Sequence, residues 1–138
     1  MPTPEQHAVL SASSSARWLN CTASARLAEQ CTRQDTAYTT AGTLAHKLAE
    51  LKARKYFCGP MSQKDYRAEL SIIQKDPAYD KGMDSATDLY LDHLKELAMT
   101  YNGQPFVALE SRVDYSDWAP EGFGTADCLI ISSEKLCV

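Results

Sequence analysis

His46, Glu50 and Asp127 are the side chains whose types and spacing can do chemistry. His46 and Glu50 stand four residues apart in Gly42-Thr43-Leu44-Ala45-His46-Lys47-Leu48-Ala49-Glu50, so on a helix they share one face. An imidazole and a carboxylate placed that way can hold a divalent metal or simply pair with each other. Spacing alone favours a structural or exposed histidine. Asp127 lies in Gly122-Phe123-Gly124-Thr125-Ala126-Asp127, near the start of a run that reads as buried strand. A buried carboxylate is costly unless it meets a metal, a cation or several donors. The glycines before it would let backbone or substrate come close. Here too spacing alone favours the plainer alternative, a carboxylate accepting hydrogen bonds from the adjacent turn.

Other residues carry weaker signals. Glu110 falls on the polar face of a strand pattern, where it is a second acid near Asp127 or an exposed partner of Arg112. His93 lies between Tyr90 and Leu97 at the edge of a helical stripe. Lys47, Lys52, Arg54 and Lys55 can touch phosphate, although a basic run on a helix is usually a solvated face. Trp18 can stack on a base, although an aromatic at helical spacing is usually core. The five cysteines, Cys21, Cys31, Cys58, Cys128 and Cys137, form no C-x-x-C pair. An odd count in a chain that reads as cytosolic argues against a disulfide framework. The spacing does not suggest a tetrahedral zinc site.

The elements that must position these groups divide into a helical part, up to about Asn102, and a strand part. Ser11, Ser13 or Ser14 can cap a first helix, and a second short helix carries Ala25 to Glu29. A third helix is predicted from near Gly42 to about Phe57, with Leu44, Leu48 and Leu51 as its buried stripe. Cys58-Gly59-Pro60 ends it. Ser62 caps a shorter helix striped by Tyr66, Leu70 and Ile73. The clearest helix is predicted from Asp84 to Tyr101, with Ala86, Tyr90, Leu94, Leu97 and Tyr101 on one face and Asn102-Gly103 as its stop. From Phe106 the period becomes two. Val107, Leu109, Val113 and Tyr115 then point one way, and Glu110, Arg112 and Asp114 the other. Thr125 to Ile131 reads as a strand covered on both faces, and Lys135 to Val138 as the start of a third. The fold class is therefore α+β, a helical N-terminal part followed by an antiparallel β-meander in one domain over residues 1–138.

Composition sets outer bounds. A chain of 138 residues with 44% hydrophobic and 23% charged residues is a globular candidate, not a disordered one. The formal charge of −4 gives no support to a purely electrostatic nucleic-acid binder. No apolar run is long enough to cross a bilayer, and the first residues show neither a basic start nor an apolar core, so no membrane association and a cytoplasmic location are expected.

Leu10-Ser11-Ala12-Ser13-Ser14 followed by Arg17-Trp18-Leu19-Asn20-Cys21 resembles the opening of RecB-like nucleases of the PD-(D/E)XK superfamily. Gly42 to His46 resembles their G-x-x-x-H helix, and Gly124-Thr125-Ala126-Asp127 their G-x-x-D strand motif. Over essentially all 138 residues the chain is similar to a phage and prophage family within that superfamily. The resemblance implies an incomplete restriction-endonuclease-like core and metal-dependent DNA cleavage in the complete family. It implies Mg²⁺ or Mn²⁺ held by Asp127 and His46, with DNA as partner. The family also carries a (D/E)-x-K motif on the next strand, which would fall beyond Val138. The chain is thus expected to be an N-terminal portion with little activity of its own. Cys21 matches the early cysteine of relatives that bind an iron–sulfur cluster, although a partly buried thiol is the plainer reading. The rival expectations are a non-catalytic DNA-binding or protein-interaction module and an inactive prophage remnant. Protein partners are not legible.

Overall fold

The computed structural model describes residues 8–31 and 36–138. These fall into two compact units, one from residues 8–31 and 111–126, the other from residues 36–110 and 127–138. Among the described residues the order is a 3₁₀ turn (Ala12–Ser14), α1 (Ser15–Asn20), α2 (Ala23–Glu29), α3 (Ala37–Phe57), α4 (Gln63–Gln74), α5 (Lys81–Met99), β1 (Phe106–Asp114), β2 (Phe123–Ile131) and β3 (Leu136–Cys137). The strands form an antiparallel sheet in the order β1–β2–β3, with Ile130 opposite Cys137 and Ile131 opposite Leu136. The class is α+β, helices first and a β-meander after.

In the larger unit the long helices start where polar side chains cap them. Thr36 accepts from the Thr39 amide while the Thr39 hydroxyl accepts from the Thr36 amide, a capping box. α3 thus begins five residues before Gly42, the start expected from the apolar stripe; the preceding Thr and Ala residues carry no stripe to reveal it. Asp80 likewise caps α5 by accepting from the Gly82 amide, so the helix starts at Lys81, three residues before the expected Asp84. Ser62 caps α4 as expected, accepting from Asp65. A left-handed glycine, Gly59 at φ 97°, follows the C-cap of α3; α5 ends at Met99 with Thr100 as its C-cap, two residues before the expected Tyr101, and Gly103, at φ 90°, turns the chain beyond it.

Two apolar clusters hold this unit. Leu44, Leu48 and Leu51 of α3 pack with Ile73 of α4. Ala53, Leu94, Tyr101, Cys128 and Ile130 join α3, α5 and β2. Leu48 is 0% and Ile130 1% exposed. The Tyr101 hydroxyl donates to the Ile130 carbonyl, 3.0 Å away, so the buried phenol keeps its bond. Of the β2 run expected to be covered on both faces, Cys128 and Ile130 are buried while Leu129 and Ile131 are only half-buried.

The basic run of α3 is a solvated face only at Lys47; Lys52, Arg54 and Lys55 are engaged by the fold. Lys52 is 7% exposed, and its ammonium contacts Asp88 at 2.6 Å and Asp84 at 3.0 Å on α5. Arg54 pairs with Glu69 and Glu50. Lys55 donates to the Met61 carbonyl. Lys52 lies four residues beyond Leu48, on the apolar stripe itself, and Asp84 and Asp88 share a face of α5. The fold consumes these charges internally.

The smaller unit is built differently. Its helices are one to two turns long, and polar ties replace a core. Trp18 donates its indole N–H to the Ser11 carbonyl at 2.9 Å. The Tyr115 hydroxyl donates to the carbonyls of Leu10 and Phe123, at 2.9 and 3.1 Å. Gly122 sits against the Tyr115 ring, where an added Cβ would lie 2.5 Å from it. Only a glycine permits that approach.

Candidate metal centre

His46 projects from the middle of α3, and Asp127 and Glu110 from β2 and β1. One ligand atom from each lies within 4.8 Å of the other two. The His46 Nδ1 to Asp127 Oδ1 distance is 3.7 Å. Two ligand atoms each about 2.1 Å from one ion sit roughly 3–4 Å apart. The donor set therefore fits a hard or borderline divalent cation after small side-chain movement. All three lie in the larger unit, on elements packed by its two apolar clusters.

The backbone at Glu110 is unusual. Its φ is 46°, left-handed, in the interior of a strand. Left-handed backbone costs a non-glycine residue about 1 kcal/mol or more. Such irregularities in strands re-aim a side chain. The alternation expected for β1 also breaks here: Val107 and Leu109 pack on the core, but Val113 is exposed. Glutamate is not a residue that advertises left-handed geometry, so the break has no sequence signal.

The electrostatics are those of crowded carboxylates. Burial, then the negative charges of Asp127 and Glu50, push the Glu110 carboxyl above its ordinary range, against the opposing influence of His46. A cation at the centre would relieve this repulsion. Tyr90 lines the same cavity, and its phenol is pushed up to about 12 by burial first, then by Cys128, Asp127 and Glu110. It is a hydrogen-bond donor at neutral pH.

Asp127 is not buried, as the apolar run around it suggested. Its side chain is 59% exposed and that of His46 62%, because both open onto a cavity of about 190 Å³. Glu50 lines that cavity too, but its carboxylate lies 3.6 Å from Arg54 and is outside the three-residue cluster. Glu110 takes the third place. His93 is exposed on α5 and is not in the cluster. Cys21 is an exposed thiol, not a partly buried one. Lys47 is exposed, and among the described residues no lysine or arginine lines the cavity.

The fold and site together define an α+β protein with a His–Glu–Asp cluster where one long helix meets two adjacent strands. The chain belongs to the family described as Protein of unknown function (DUF2800), whose model matches residues 7–138. No solved structure matches it.

Proposed function

We propose that this chain carries the divalent-metal site of a PD-(D/E)XK-type DNA nuclease. The supporting observation is the convergence of His46, Glu110 and Asp127, two of them in motifs that resemble the RecB-like pattern. His46 and the two carboxylates hold and orient the ion. Tyr90 offers a donor to a substrate oxygen, and Glu50 adds negative potential beside the site. A bound Mg²⁺ or Mn²⁺ would activate water and offset charge on a phosphodiester. With no cationic side chain among the described residues lining the cavity to balance that charge, cleavage by this chain alone is expected to be weak.

The test is cleavage of DNA by the full chain with Mn²⁺ and with chelator. Slow cleavage that requires the ion and disappears in Asp127→Asn is the expected result. Cleavage that persists in chelator or in Asp127→Asn contradicts the proposal. Bound Mn²⁺ with no cleavage would favour the second reading, a non-catalytic DNA-binding module. The internally paired Lys52, Arg54 and Lys55 offer that reading no phosphate contacts.

A further inference from the structure

The smaller unit holds a second concavity, of about 480 Å³, within the range of small-molecule sites. The chain has two tryptophans, and both line it. Trp18 is held in place by its bond to Ser11. Trp118 is 83% exposed, an expensive position for the largest apolar side chain. Among the described residues the two indoles make no ring contact with each other. Arg26, Glu29 and Glu121 also line the cleft, and no ion pair with a described residue engages them.

We infer that this cleft binds an unpaired nucleobase of single-stranded DNA. Indole faces stack on any base without sequence preference. The carboxylates of Glu29 and Glu121, in no ion pair with a described residue, can accept from exocyclic amino groups, as acids do from cytosine. Arg26 supplies one contact to the flanking phosphate. A net charge of −4 gives no support to purely electrostatic attachment, which leaves stacking as the main interaction to hold a strand. The choice of DNA as the polymer rests on the proposed nuclease reading; the stacking chemistry does not.

The test is titration of the full chain, in chelator, with a short single strand, read by tryptophan fluorescence and by anisotropy of a labelled strand. Saturable quenching is expected with the single strand and not with the same sequence as duplex. Trp118→Ala should weaken binding about tenfold, since one stacked base contributes about 1–3 kcal/mol, and Trp118→Phe should restore most of it. Arg26→Ala should flatten the salt dependence by roughly 0.7 in log–log slope. The inference is overturned by no binding at about 100 µM strand, the weak end of non-specific association. Binding that Trp118→Ala leaves unchanged, or duplex binding that quenches as well, overturns it too. Because the titration excludes metal, the two readings fail separately. Mn²⁺ binding without quenching sinks this inference alone, and quenching without Mn²⁺ binding sinks the metal site alone.

Discussion

The two units use their residues in opposite ways. The larger buries Leu44, Leu48, Leu51, Leu94 and Ile130 in two clusters and sets three ionisable groups on the elements so fixed. The smaller has buried Ala8, Ala119 and Gly122 but neither cluster, and leaves Trp118 in solvent. A metal site requires donors held to within about half an ångström, which packed helices and strands supply. A stacking cleft tolerates short helices and polar ties, because every base offers the same flat face. The contrast assigns precision to one unit and adaptability to the other.

The largest break in this comparison should come from Leu48→Ala. Removing a fully buried leucine from α3 is expected to cost about 3–5 kcal/mol, with metal binding lost alongside the fold; chemical denaturation followed by circular dichroism measures it. Next is Lys52→Ala, which leaves Asp84 and Asp88 without their cation. The expected loss is about 3 kcal/mol at most, because both acids remain partly solvated. The same contact sets a pH dependence. Burial alone would lower the Lys52 value, but its bonds to Asp88 and Asp84 outweigh burial and hold it raised. Its contribution is therefore complete below the unfolded value of about 10.4 and is lost as pH rises through the folded one. Asp84 is lowered, first by the Tyr79 hydroxyl and also by Lys52. Its contribution is present above about 3.9 and is lost as pH falls through its folded value. Urea midpoints across pH should show both limbs, and the alkaline one should flatten in Lys52→Met.

Gly122→Ala sharpens the contrast from the other side. A Cβ there meets the Tyr115 ring and the Ala119 carbonyl, and overpacking of this kind costs about 1–3 kcal/mol. Tryptophan emission should change, since both indoles belong to that unit, while Mn²⁺ affinity stays near wild type. Equal damage to both readouts would show that the units are not separable in this way. The smallest expected effect is the most telling. Glu110→Gln removes a carboxylate repelled by Asp127 and Glu50, so the metal-free protein should gain about 0.5 kcal/mol, discounted for solvent screening, while its Mn²⁺ affinity falls. Thermal melts with and without Mn²⁺ would show the two opposite shifts.

Much of the frame is legible in the sequence because it rests on local signals. Ser62 and the stripe Tyr66, Leu70 and Ile73 announce α4, and Gly59 and Gly103 announce the ends of α3 and α5. His46 and Asp127 are legible as candidates and lie side by side. The third member is legible only as one of two alternatives, Glu110 as a second acid near Asp127 or as an exposed partner of Arg112. Glu50 is nearer to His46 in sequence and shares its helix face, but its carboxylate pairs with Arg54 one turn further on and stays outside the cluster. Glu110 enters through a left-handed backbone that no local propensity signals. The burial of Lys52 could have been found, since it lies on the leucine stripe and faces two acids one turn apart. Reading a basic run as solvated hides that. The cleft needs Trp18 and Trp118, a hundred residues apart in sequence, to line one cavity, which periodicity cannot show.

The most direct test of the metal site is Mn²⁺ binding to the full chain by calorimetry, with Asp127→Ala and Glu110→Ala alongside. One ion per chain is expected, with affinity reduced about 100-fold or more in either variant, beyond the 10–100-fold typical of residues that only support a ligand. No saturable Mn²⁺ binding, or binding that both variants leave intact, would contradict a metal centre built from His46, Glu110 and Asp127.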